Sequence, residues 1–181
     1  EKAAIVRDRI KALSQIQSSQ KINQTNLNEA DVVSIFKDSG KTCIQVFFFR
    51  SKQNWGNQAF FPKHDPDEKL ENILSSFISQ FYENKTIPKL IITNYQIYEK
   101  DLLEKAFSGK ESKDIIIKEA KTKEEISLSN LAKKNAKQAL TQKIYDTQSN
   151  TNLIEQLTSK FNLNQNTGLI EVYDNSHIQG T

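Results

Sequence analysis

Between Asp31 and Phe61 the chain carries three strand-like runs joined by connections too short to hold a helix. Asp31-Val-Val-Ser-Ile-Phe36 is the first, Thr42-Cys-Ile-Gln-Val-Phe-Phe-Phe49 the second, and Trp55 to Phe61 the third. Asp38-Ser-Gly40 and Ser51 to Asn54 supply the turns, with Gly40 able to take a positive φ. Strands joined this closely must run antiparallel, so the segment predicts a three-stranded meander. Any fold for this chain has to be built outward from it.

Beyond Phe61 the chain alternates helix and strand. Asp65-Pro-Asp-Glu68 reads as a helix start, with Asp65 as N-cap, Pro66 in the first turn and Glu68 closing a capping box. Leu70, Ile73, Leu74, Phe77, Ile78 and Phe81 then form one apolar stripe at helical spacing. Lys89 to Thr93 reads as a short buried strand, reset by Pro88. Residues 99–108 read as a helix with Leu102, Leu103, Ala106 and Phe107 inward and Gly109 as its C′ residue. Asp114-Ile-Ile-Ile117 is a fifth strand. Glu124 to about Ile144 is a long amphipathic helix, with Leu128, Leu131, Ala132, Ala136, Ala139 and Leu140 on one face and Lys133, Lys134 and Lys137 on the other. A meander followed by two strand–helix units predicts an α/β fold, a mixed five-stranded sheet flanked by helices over residues 31–146.

The flanks are simpler. Residues 1–17 read as a helix whose narrow stripe of Ala3, Val6, Ile10 and Leu13 needs a partner helix. Residues 18–30, rich in Gln, Asn and Ser, read as a linker. Over 147–181 a polar break at Thr147 to Asn152 precedes a helix from Leu153 to Phe161. A strand then ends at Asp174 and is followed by Asn175, Ser176, His177 and Gly180.

Composition excludes several functions. No apolar stretch approaches the roughly 18 residues that span a bilayer, so no membrane role is expected. The mean hydropathy of −0.63 suits a soluble, cytoplasmic protein. A lone cysteine, Cys43, excludes disulfide frameworks and Cys-rich metal sites within these 181 residues, and its place in a strand marks it as a small buried hydrophobe. Methionine is absent and the chain opens on Glu1, which suggests a piece of a longer protein. The net charge of +3 comes with only three arginines, Arg7, Arg9 and Arg50. Lysine attracts phosphate as a point charge but lacks the fork that reads base edges, so any nucleic-acid contact should follow shape and charge.

Four stretches together resemble the UvrC subunit family of the bacterial nucleotide excision repair endonuclease. Glu1-Lys-Ala-Ala-Ile-Val-Arg-Asp-Arg-Ile10 looks like the second half of the family's UVR helical hairpin. Phe47-Phe-Phe-Arg50 with Phe60-Phe-Pro-Lys63 looks like its central region, and Leu131-Ala-Lys-Lys-Asn-Ala136 like the helix after it. Tyr173-Asp-Asn-Ser-His-Ile-Gln-Gly180 is similar to its Asp-Ile-Ser-His-x-x-Gly signature, with Asn175 where an apolar residue is usual.

The resemblance implies a dual-incision nuclease acting on damaged double-stranded DNA, with a ribonuclease H-like sheet and a UVR-type helix ahead of it. It implies that Asp174 is the first ligand of a divalent ion, Mg²⁺ or Mn²⁺, at the 5′-incision site, its partners lying beyond Thr181. Carboxylates on a rigid strand suit such hard ions. It also implies that Ala4, Ile5, Arg7, Asp8 and Ile10 contact UvrB. His177 is expected to support the turn, and His64 to lie in a surface loop.

Within residues 31–146 the acids of a ribonuclease H-like active site are replaced: Ser34 stands in mid-first-strand and Asn94 after the fourth strand. Asp31 and Asp38 read as edge and turn residues. This domain is therefore expected to be a degenerate, non-catalytic copy, alone inactive and binding no metal tightly. Arg50, Lys52, Trp55 and Lys63 form a candidate DNA contact, a reading balanced by one in which Trp55 is half-buried at a hairpin.

Overall fold

The computed structural model describes residues 25–161. Three strands come first: β1 (Glu29–Asp38), β2 (Lys41–Arg50) and β3 (Gln53–Phe60). Helix α1 (Leu70–Phe81), β4 (Leu90–Thr93), α2 (Lys100–Glu111), β5 (Ile116–Glu119) and α3 (Lys123–Lys160) follow. The sheet is five-stranded in the order β3-β2-β1-β4-β5. β1, β2 and β3 pair antiparallel, while β4 adds parallel to β1 and β5 parallel to β4. The expected mixed sheet is thus present, with β1 at its centre. The described residues fall into two compact units, residues 25–141 and 142–161.

β1 alternates between two cores because successive side chains in a strand point to opposite faces. Val33 and Ile35 join Ile44, Val46, Ile73, Leu74, Ile78 and Ile91 in one cluster. Val32 joins Phe47, Phe49, Ile92, Leu128 and Ala132 in the other. Buried on both faces, the central strand reads as a nearly continuous apolar run, which is why its sequence is so conspicuous. Ile73, Leu74, Ile78 and Phe81 bury the α1 stripe. At about 1.5–3 kcal/mol each, these four side chains contribute roughly 6–12 kcal/mol before the entropy of ordering them.

Several boundaries differ from the sequence reading. α1 begins at Leu70 rather than at Asp65, its N-cap residue Lys69 makes no side-chain cap bond, and the Asp65 carbonyl instead accepts from Glu68 N–H in a turn. The capping box forms at α3. Thr122 Oγ1 accepts from Glu125 N–H, and Glu125 Oε2 accepts from Thr122 N–H. The signature Thr122-Lys-Glu-Glu125 is plain in the sequence, but Pro66 makes the segment at Asp65 look the stronger start. α2 runs through Gly109 and closes at Ser112, whose φ is 53°. β5 lies two residues later than expected. The polar stretch Thr147 to Asn152 is helical, and α3 is continuous to Lys160. The Thr147 and Thr151 hydroxyls each bond back to the carbonyl four residues earlier, so their polar groups are satisfied within the helix.

Glu125 ties α3 to the sheet edge. It accepts from Lys118 Nζ at 2.7 Å and from the backbone N–H of Lys121 and Thr122. Burial alone would raise its carboxyl, but these donors outweigh burial and hold it below its ordinary value of 4.5. A depressed folded-state value contributes stability above the unfolded value and loses it as pH falls through the folded one. Glu125→Gln is therefore expected to flatten the decline in stability below about pH 4.5, read as urea midpoints across a pH series.

Candidate functional site

The two positions where the resemblance leads one to expect acids are Ser34, in the middle of β1, and Asn94, directly after β4, whose last residue, Thr93, pairs with Val33 of β1. Both are committed to structure. Ser34 Oγ donates to the Ser129 carbonyl at 2.9 Å and lies 3.2 Å from the Ser129 hydroxyl, stitching β1 to α3. Asn94 Oδ1 accepts from Ile35 N–H while its Nδ2 donates to the Ile35 carbonyl, both at 2.9 Å. Its side-chain amide thereby imitates one more residue of β4 paired to β1. An aspartate could accept from that N–H but would face the Ile35 carbonyl with nothing to donate.

Among the described residues no group of three or more His, Cys, Asp or Glu comes together to hold a metal ion. The donor set at this face, a serine and a carboxamide with their polar atoms already engaged, does not suit Mg²⁺ or Mn²⁺.

The same rim is basic and aromatic. Phe36 lies near the end of β1 and Tyr95 follows Asn94. Lys137 Nζ stands 5.8 Å from the Phe36 ring centre, and Lys133 Nζ stands 5.7 Å from that of Tyr95. Both distances lie within cation–π range.

Asp31 corrects the sequence reading most sharply. It is no edge residue: its side chain is 1% exposed, inside the sheet between β2 and β4. It accepts from Arg50 Nη1 at 2.7 Å and from the Tyr82 hydroxyl at 2.6 Å. Burial raises its carboxyl, and the bonds from Arg50 and Tyr82 pull only partly against that. Burial and the neighbouring Asp31 charge drive the Tyr82 phenol well above its ordinary value, so it stays a donor. Sequence reasoning missed this trio; the one signal was a carboxylate set inside the run from Ala30 to Ile35.

Of the expected DNA set, Arg50, Lys52 and Trp55 lie at the β2–β3 hairpin and Lys63 lies elsewhere. Arg50 is spent on Asp31 and on the carbonyls of Ala30 and Phe49. Trp55 is the extra residue of a bulge: Phe48 pairs with Gly56 and Phe49 with Asn54, leaving Trp55 without a partner across the strand. Gly56, at φ 124°, accommodates the kink, and Trp55 is 71% exposed rather than half-buried. Lys52, at φ 63°, lies in the adjoining turn. Lys63 lies beyond the far end of β3, and His64 bonds to the Asp65 carbonyl. Cys43 is buried, which pushes its thiol up to about 11 and leaves it inert. Ala4, Ile5, Arg7, Asp8, Ile10, Asp174 and His177 lie outside the described residues. No helix among the described residues is long and apolar enough to cross a membrane.

Comparison with known proteins agrees with this architecture. The chain is 49% identical over all 181 residues to the UvrABC system protein C of Bartonella quintana, of which it covers 27%. It is 45% identical to that of Chelativorans sp., covering 28%, and 42% identical to that of Maricaulis maris, covering 29%. The chain thus spans little more than a quarter of the length of these relatives. Residues 29–143 match the family model of the UvrC ribonuclease H-like domain, beginning at the first residue of β1. On that match, which covers most of the chain and all five strands, the chain belongs to the UvrC ribonuclease H-like family.

Proposed function

We propose that these residues serve nucleotide excision repair as part of a UvrC-type incision subunit that acts with UvrB on damaged duplex DNA. The observation that carries this is similarity over the whole chain, at 42–49% identity, to proteins named UvrABC system protein C. In this reading Ala4, Ile5, Arg7, Asp8 and Ile10 belong to the helix that meets UvrB. Asp174 is a ligand of the Mg²⁺ or Mn²⁺ that supports the 5′ cut, with further ligands from beyond Thr181. The ion would neutralise charge on the scissile phosphate.

The domain built on β1 to β5 is non-catalytic. Ser34 and Asn94 are engaged in holding β1 to α3 and β4, and this favours a second role for the domain as a scaffold and interaction module. The 181 residues by themselves are inactive, and metal-dependent nicking of plasmid by the purified chain would overturn that.

Asp174→Ala in the full-length protein tests the enzymatic reading, using an end-labelled lesion duplex and the partner subunits. The 5′ cut should fall by about 100-fold or more, since even outer-shell partners of metal ligands cost about 10–100-fold, while the 3′ cut persists. Survival of both cuts would make Asp174 a turn residue and leave the interaction role standing alone.

A further inference from the structure

We infer that the rim formed by Phe36, Tyr95, Lys133 and Lys137 is a metal-free binding site for a DNA strand, with the two lysines taking phosphates where an active nuclease of this fold would place metal ions. The inference rests on the family reading only for the choice of ligand; the site itself is argued from geometry.

Observations of charge, spacing and ring contacts converge on it. Metal ions in a nuclease site neutralise charge on the phosphodiester. Ser34 and Asn94 remove the carboxylates that would recruit cations, and they do so at the place where α3 supplies Lys133 and Lys137 instead. The lysines are successive on one face of α3, four residues apart, so their Cβ atoms lie about 6 Å apart. That is close to the spacing of successive phosphates along one strand. Each amine is also poised over a ring, Lys133 over Tyr95 and Lys137 over Phe36, rather than bound to a carboxylate. A partly exposed ring beside a lysine is the combination that single-stranded nucleic acid uses, stacking for the base and charge for the phosphate. The acid nearest to Phe36 in sequence is Asp38, which accepts from the Ser39 hydroxyl and has Lys41 opposite in the ladder. Lys134, exposed between the two lysines, adds to the same field.

The site differs in place and chemistry from the Trp55 bulge. Lacking arginine forks, it would read charge and not sequence.

The test uses the 181-residue chain and a fluorescein-labelled single-stranded oligonucleotide, with anisotropy titrated from low to moderate salt in EDTA and again with Mg²⁺. Binding should occur in EDTA. Lys133→Gln with Lys137→Gln should weaken it about tenfold or more at low salt. The double variant should also lower the slope of log affinity against log salt by about 1.4, since each phosphate left unneutralised on a single strand takes away about 0.7. Lys69→Gln with Lys105→Gln, exposed lysines elsewhere, should change neither.

Acetylation footprinting of the unmodified chain gives a readout independent of any variant's folding, and bound DNA should protect Lys133 and Lys137. Protection confined to Lys52 and Lys63, binding that requires Mg²⁺, or an unchanged slope in the double variant would each overturn the site. So would a poly-glutamate peptide that binds the rim while the oligonucleotide does not. Any of these failures would leave the Asp174 incision result, and with it the family reading, untouched.

Discussion

Replacing Asp31 with alanine is expected to lower the stability of the sheet by about 2–4 kcal/mol, measured by urea unfolding of the chain. Breaking a buried ion pair costs about 3–5 kcal/mol because the partner is left uncompensated. Here the cost is reduced, since the Arg50 side chain is 29% exposed and can turn to water. The Tyr82 hydroxyl cannot: it is buried against the sheet and would lose its acceptor. Asp31→Asn should fall between the two, because one amide oxygen replaces two carboxylate oxygens that serve two donors. A loss under about 0.5 kcal/mol for the alanine variant would show that the trio contributes nothing.

The pH dependence has a definite sign. The folded-state carboxyl of Asp31 is raised above 3.8, so the folded chain binds that proton more tightly than the unfolded one. Its contribution is fullest below 3.8 and declines as pH rises through the folded value. Acid therefore does not release this strut, and the acid loss assigned to Glu125 should persist in the Asp31 variants.

Placing acids at the rim, Ser34→Asp together with Asn94→Asp, is expected to destabilise the chain by roughly 2–6 kcal/mol without creating a nuclease. Ser34 donates to a carbonyl inside the protein, and an ionised aspartate there would place negative charge against that acceptor. Aspartate at 94 would leave the Ile35 carbonyl unpaired. Each change strands a buried polar group at about 1–3 kcal/mol. Unfolding in EDTA and in millimolar Mg²⁺ is the measurement. Equal destabilisation in both is expected, and no cleavage of labelled DNA. Recovery of stability by Mg²⁺ together with metal-dependent cutting would show that the rim is a nuclease site lacking only its acids.

How far the sequence reached depended on the range of the interaction. The meander, the α1 stripe and the order of strands were all legible, because hydrophobic periodicity and turn chemistry act over a few residues and the sheet followed from them. The helix starts were legible in principle, yet local rules favour a capping box at Asp65 and Glu68 when Thr122 and Glu125 form it. Both segments carry acceptable cap residues. What separates them is Lys118, brought from β5 to within 2.7 Å of Glu125, and no local rule contains that.

The candidate site divides in the same way. That Ser34 and Asn94 stand where a ribonuclease H-like site is expected to carry acids was a reading of the resemblance. That they are engaged, one by Ser129 some 95 positions away and the other by Ile35 across 59, was decided only by folding. Arg50 was named with Lys52, Trp55 and Lys63 as a basic–aromatic DNA contact. The antiparallel register between β1 and β2 brings Asp31 to it from 19 residues away. Trp55 reached solvent because one extra residue in β3 turned it out of the ladder. Lys133 and Lys137 read as a solvated helix face until packing against the sheet set each amine over a ring. Short-range chemistry, written in neighbouring residues, determined the elements and their order. Burial and charge pairing depend on distances between residues far apart in the chain, and those exist only once the sheet has closed.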